Sequence, residues 1–147
     1  MAFFMGDIGE TIRKFKSLNF KKIIISILNT SEIKEFIIKM EQERLFNLGE
    51  DSTGASLGEY APFTVVIKQE KGQRFDHITL NDTGEFYKSF TFHATGTELI
   101  FDANPVKDDD NLFDNFGIDI LGLNDFDRNR LIETIYIELK FYLLNKL

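Results

Sequence analysis

Two runs of alternating side chains, Phe90-Thr91-Phe92-His93-Ala94-Thr95 and Glu98-Leu99-Ile100-Phe101-Asp102, flank the dipeptide Gly96-Thr97. Alternation with a period of two matches the pleat of a strand, and so short a connection between two strands implies an antiparallel hairpin. Glycine followed by one residue predicts a type II′ turn. The register then sets Ala94 opposite Leu99, Phe92 opposite Phe101 and Phe90 opposite Ala103 on one face. Thr95 opposite Glu98 and His93 opposite Ile100 share the other. The phenylalanine face is the one to bury.

Helical patterns enclose this hairpin. Residues 1–28 read as one or two helices, loosened at the start by Gly6 and Gly9 and broken near Ser17-Leu18-Asn19. Asn29 with Glu32 three residues on has the form of a capping box. In the helix that follows, Ile33, Phe36, Ile37, Met40 and Leu48 share one face, with Lys34, Glu35, Lys39, Glu41, Gln42 and Glu43 mostly around the rest. Gly49 suits the left-handed residue that ends such a helix. A loop over 50–61 leads to Pro62, which can open a short helix at its first position and run toward Gly72, although Thr64-Val65-Val66-Ile67 prefers strand. Asp82-Thr83-Gly84-Glu85 caps a short turn before Phe86-Tyr87. Residues 104–117 read as an acidic connector holding Asp108-Asp109-Asp110, then Ile118-Asp119-Ile120-Leu121 as a short strand. Asn124 caps a last helix over about 125–146.

The fold class is therefore α+β: N-terminal and C-terminal helices packed on a small antiparallel sheet containing the hairpin. At 147 residues the chain fits a single domain. Its parts are a helical 1–48, a loop and hairpin over 49–104, an acidic connector over 105–123 and a C-terminal helix over 124–147. The last helix carries a broad stripe of Leu131, Ile132, Ile135, Tyr136, Leu139, Tyr142 and Leu143. A second band, Ile137, Phe141 and Leu144, lies on its far side. A helix apolar on two sides is sandwiched, by its own core or by another subunit. Cover from Phe3, Phe4 and the Ile23–Leu28 run is the internal alternative.

Chemistry is harder to find. With no cysteine there is no thiol nucleophile, thiolate metal site or disulfide, which suits a reducing compartment. His77 and His93 read as surface residues, too few for a zinc site. Asp108-Asp109-Asp110 and Asp51-Ser52-Thr53-Gly54 lack the alternating ligands of a calcium loop. No nucleophile elbow, phosphate loop, dinucleotide fingerprint or zinc-helix motif occurs. The residues thus predict no enzyme, no cofactor and no metal. A hydrolase with paired carboxylates stays open, because twenty-four acidic residues give many chance pairs. A formal charge of −7 disfavours duplex DNA and anionic membranes as partners. Neither a targeting segment nor a membrane span is predicted. Sixteen phenylalanines against four tyrosines and no tryptophan suit cores and subunit contacts.

One set of residues carries a resemblance. It comprises Gly54-x-x-Leu57-Gly58-x-Tyr60-x-Pro62-x-Thr64-x-x-x-Lys68, then Lys71-Gly72-Gln73, then Thr79-Leu80-x-Asp82-Thr83-Gly84-x-Phe86-Tyr87-x-Ser89-Phe90. Glu41-Gln42-Glu43-Arg44-Leu45 and Phe116-Gly117-x-x-Ile120-x-Gly122-Leu123 extend it, so that residues 33–135 are covered. The pattern resembles the tail-completion or virion-morphogenesis proteins of tailed bacteriophages, small head–tail connector components found also in phages of gut Bacteroidetes. The acidic segment 104–117 departs from it. The resemblance implies a virion protein made in the bacterial host cytoplasm and catalysing nothing. It implies a homo-oligomeric ring of six or twelve copies at the neck, touching portal, connector or tail proteins while DNA passes without specific binding. Leu57, Tyr60, Pro62 and Phe63 would then reach a neighbour. Phe90 and Phe92 of the hairpin would meet the adjoining ring, and Ile137, Phe141 and Leu144 would form a subunit contact. The rival reading is a small phage-encoded protein that binds a host factor.

Overall fold

The computed structural model describes residues 8–146. Gly6, Phe3 and Phe4, and with them part of the expected cover for the last helix, lie outside the described residues. Two helices open the described chain, α1 (Ile8–Ser17) and α2 (Phe20–Leu28), separated at the expected break. Asn19 caps α2, its side chain accepting from the Lys22 N–H at 3.1 Å.

The next helix, α3 (Ser31–Glu43), departs from the capping-box expectation. Thr30, not Asn29, is its N-cap, and Thr30 makes no side-chain cap bond. The Asn29 amide instead faces strand β1 (Thr91–Ala94): Nδ2 donates to the Ala94 carbonyl at 2.7 Å, and the Ala94 N–H donates to Oδ1 at 2.8 Å. β1 pairs antiparallel with β2 (Leu99–Asp102) in the predicted register, Phe92 opposite Phe101 and Ala94 opposite Leu99. In an antiparallel pair alternate residues turn both backbone groups outward. Ala94 is one of these, since Thr95 donates to the Glu98 carbonyl at 2.8 Å. Asn29 thus supplies the partner that a third strand would have supplied, and the demand of Ala94 overrides the local cap.

The turn joining the strands is also built differently. Gly96 keeps out of the positive-φ region that a type II′ turn requires. Thr95 Oγ1 closes the turn, accepting from the Glu98 N–H at 3.0 Å and the Thr97 N–H at 3.4 Å.

At the end of α3 the backbone widens into one π turn over Arg44–Leu48. The extra residue rotates Leu48 off the core stripe, leaving it 55% exposed, while Leu45 takes the buried place. Gly49 ends the turn as expected, in the left-handed region at φ +60, with its N–H on the Leu45 carbonyl. A Cβ there would stand 2.4 Å from His77 Cδ2. His77 is therefore no surface histidine, for it packs on Gly49 and its Nε2 bonds the Phe46 carbonyl at 2.8 Å. Gly49→Ala should lower the melting temperature by about 5–10 °C, combining left-handed strain with displacement of the ring. Gly54→Ala is the control, with φ +87 and nothing within 4 Å. Equal losses in the two would remove His77 from the account.

Pro62 occupies the first turn of α4 (Pro62–Glu70), so the strand preference of Thr64–Ile67 loses to the proline start and to the packing of that helix. Gly84, at φ +84, provides the predicted turn into α5 (Glu85–Lys88). The acidic connector is ordered rather than irregular. Strands β3 (Val106–Lys107) and β4 (Asp110–Asn111) pair across a turn in which Asp108 takes φ +52, and Asn111 caps α6 (Leu112–Phe116). The strand expected over 118–121 is instead a 3₁₀ turn, Ile118–Ile120, entered through Gly117. Asn124 caps α7 (Asp125–Lys146), accepting from the Asp127 N–H at 2.8 Å.

Two apolar clusters hold these elements. Helices α2, α3 and α7 enclose Ile27, Ile37, Met40 and Leu131 against Phe92 and Ala94 of the sheet. Leu45, Phe86, Phe90, Leu112 and Ile120 form the other cluster, and Ile38 and Phe101 pack against both. Helices thus flank a small antiparallel sheet, an α+β arrangement with a second, shorter hairpin.

Candidate functional site

Tyr60, Lys68, Gln73, Asp82 and Tyr87 join in one hydrogen-bonded unit around Thr79, which is 1% exposed. The Thr79 N–H donates to the Tyr60 hydroxyl at 3.0 Å, and the two hydroxyl oxygens stand 3.2 Å apart. From the opposite side the Tyr87 hydroxyl donates to the Thr79 carbonyl at 2.5 Å. Every polar atom of this buried threonine is therefore satisfied by Tyr60 or Tyr87. Lys68 continues the unit from α4: its ammonium donates to the Asn81 carbonyl at 3.2 Å and to Gln73 Oε1 at 3.3 Å, and lies 4.7 Å over the Tyr60 ring. Gln73 in turn donates to the Asp82 carbonyl at 2.9 Å. Asp82 accepts from Lys107 at 3.1 Å and Lys71 at 3.2 Å. These bonds, with Lys107 foremost, hold its carboxyl well below the usual carboxylate range. The spacing of Tyr60, Lys68, Gln73, Thr79, Asp82 and Tyr87 in the sequence is thus the spacing of one network.

Beside this network lies a half-open cavity of about 400 Å³ between α4 and the β3–β4 hairpin. Ile67, Ile78, Leu80, Leu112 and Phe116 give it apolar walls, while Lys68, Lys71, Lys107, Asp82, Asp108 and Asp110 give it charged ones. Among the described residues no group of three His, Asp or Glu side chains could hold a metal ion.

The interface candidates separate into three sets. Phe90 and Phe92 are buried, 4% and 3% exposed, in the chain's own two clusters. They cannot meet a partner, because the face they occupy is covered by helices. The outer hairpin face, with Ile100 40% exposed, is what a partner could touch. Leu57 and Tyr60 are half-buried, Leu57 against the second cluster and Tyr60 in the hydrogen-bonded network. Pro62 and Phe63 stand exposed, Phe63 by 77%. Ile137, Phe141 and Leu144 are exposed by 53%, 61% and 69%. Of the first stripe on α7, Leu131 is buried and Ile135, Leu139 and Tyr142 pack on the core, whereas Ile132 and Tyr136 remain open. No described residue of α1 is buried, and Ile8, Ile12 and Phe15 project from it.

Glu41, placed on the polar side of α3, is in fact interior, and so is Arg44 at the start of the π turn. Glu41 is 1% exposed and Arg44 3%. Arg44 donates through Nη1 to the Gly122 carbonyl, through Nη2 to Ile120 O at 2.6 Å and through Nε to Glu50 O at 3.1 Å. Glu41 Oε1 accepts from the Gly122 N–H at 2.8 Å, while Oε2 has no partner. Burial pushes the Glu41 carboxyl up to about 7, partly offset by the Gly122 bond and the Arg44 charge. At 100° per residue, Arg44 falls between Met40 and Ile37 on the apolar stripe and Glu41 at its edge. That position was the available signal. Among the described residues no helix is long and apolar enough to cross a membrane. No family model, curated protein or solved structure matches this chain.

Proposed function

We propose that the chain is a structural virion protein, a subunit of a homo-oligomeric ring at the head–tail connector of a tailed phage, with α7 as its contact helix. The sequence resemblance supplies the setting. The observation that carries self-association is the exposed apolar surface of α7, where Ile132, Tyr136, Ile137, Phe141 and Leu144 are each more than half exposed. Residues of this kind, crowded on one long helix, mark a contact surface rather than ordinary scatter. A ring around a DNA channel also suits a chain of charge −7, whose surface repels the duplex instead of holding it.

Phe141→Glu tests this. Phe141 is 61% exposed in the single chain, so the variant should melt within about 2 °C of the parent. In a subunit contact the same change buries an unpaired carboxylate at a cost of several kcal/mol, and assembly should fail. Circular dichroism and multi-angle light scattering on one preparation read both. A folded variant that still assembles removes α7 from the contact. A parent chain that stays monomeric at all concentrations favours the small host-factor-binding protein.

A further inference from the structure

Lys68 is 7% exposed, and its partners are an amide oxygen, a carbonyl and a tyrosine ring. Among the described residues it pairs with no carboxylate. Asp82, the nearest acid of the network, is shared by Lys71 and Lys107. A buried ammonium with only neutral partners keeps most of its demand for an anion. It lines the cavity of about 400 Å³, whose other walls include the apolar Ile67, Ile78, Leu80, Leu112 and Phe116. Asp108 and Asp110 oppose an entering anion, yet both are exposed, and water screens them far better than it screens Lys68. The chemistry that fits is a carboxylate carried beside an aromatic ring, whose bulk can cover those five apolar walls together.

We infer that the cavity is a socket for Asp125 and Phe126 of a neighbouring copy of this chain. Five phenylalanines are strongly exposed among the described residues: Phe15, Phe63, Phe75, Phe126 and Phe141. Lysines flank Phe15; Pro62 and Thr64 flank Phe63; Lys140 and Tyr142 flank Phe141. Phe75 adjoins Asp76, but Arg74 already holds that acid through two bonds at 2.7 and 3.2 Å. Phe126 is left. It is 70% exposed, with the Arg130 guanidinium 5.8 Å from its ring centroid, and stands beside Asp125, whose side chain is 96% exposed and has a surface contact with Arg128 at 3.5 Å. The pair sits at the start of α7, and the socket lies on α4 and the β3–β4 hairpin. Such a contact joins unlike surfaces, the heterologous kind that gives a ring when the rotation between copies closes. The inference rests on the ring reading and names a partner surface for the first turn of α7.

Two broken subunits test it. Asp125→Ala with Phe126→Ala removes the peg, and Lys68→Met removes the charge of the socket. Each, checked for fold by circular dichroism, should be monomeric by light scattering where the parent assembles. Mixed, they retain one intact peg and one intact socket, so dimers should form and larger species should not. If both variants assemble like the parent, the socket is overturned while the ring reading stands. A synthetic peptide of residues 121–129, labelled for fluorescence anisotropy, covers the case in which Lys68→Met fails to fold or the parent is monomeric. It should bind the full chain, and Asp125→Asn with Phe126→Ala in the peptide should weaken binding at least tenfold. A peptide that does not bind, or binds equally after those changes, overturns the socket whatever the oligomeric state.

Discussion

Arg44→Ala should destabilise the chain by about 3–5 kcal/mol and lower its melting temperature by roughly 10 °C or more. The guanidinium is 3% exposed and gives hydrogen bonds to carbonyls of Glu50, Ile120 and Gly122. It therefore ties the π turn to a loop more than seventy positions away in the sequence. Alanine leaves these carbonyls without their donor and removes the cation nearest to Glu41, whose ionisation Arg44 favours. Arg44→Lys should recover only part of the loss, because a single ammonium cannot reproduce the planar fork that reaches several carbonyls at once. Urea melts of the three proteins give the comparison. A loss below about 1 kcal/mol in Arg44→Ala, at unchanged denaturant slope, would mean that water replaces the guanidinium and that the node is not structural.

The hairpin register was legible because a one-residue slip would have turned Phe92 and Phe101 to solvent, so the alternation permits one answer. Pro62, Gly49, Gly84 and Asn124 were legible for a similar reason: each solves a backbone problem local to its own turn. What was not legible depends on partners far along the chain. Asn29 looks like a helix cap until Ala94, sixty-five residues on, presents its outward N–H and carbonyl. Glu41 looks like a solvated charge until residues 120–122 cover it and Arg44 with an N–H and carbonyls. Their place on the Ile37 stripe was visible, but charge normally outweighs position in such a reading. Segment 104–117 misled through composition. Three consecutive aspartates suggest a solvated connector, yet Asp108 tolerates the left-handed turn that pairs β3 with β4, and Asn111 caps α6. Phe90 and Phe92 show the tension within one element: the face that a strand buries is also its most apolar, so composition alone marks it for the core and for a partner alike. The helices settle it by covering that face.

Glu41 makes stability fall as pH rises from about 4.5 to about 7. Its folded-state carboxyl is held near 7 against an ordinary 4.5, so between these values the folded chain keeps a proton that the unfolded chain has lost. The stabilising effect of that proton is complete below about 4.5 and lost as pH passes through about 7. The full difference is on the order of 3 kcal/mol. Asp82 and Asp51 act in the opposite sense, for their folded carboxyls are lowered and their contribution disappears toward acid. The optimum therefore lies at mildly acidic pH, above the unfolded aspartates and below the folded Glu41. Glu41→Gln isolates the effect. Glutamine keeps an oxygen for the Gly122 N–H, carries no charge to bury, and leaves unpaired the position where Oε2 already lacks a partner. The stability of the variant relative to the parent should rise by about 2–3 kcal/mol between pH 5 and pH 8, with every other titrating group cancelling in the difference. Parallel curves for the two proteins between pH 5 and 8 would show that Glu41 stays ionised in the folded chain, and that the charge of Arg44 outweighs its burial.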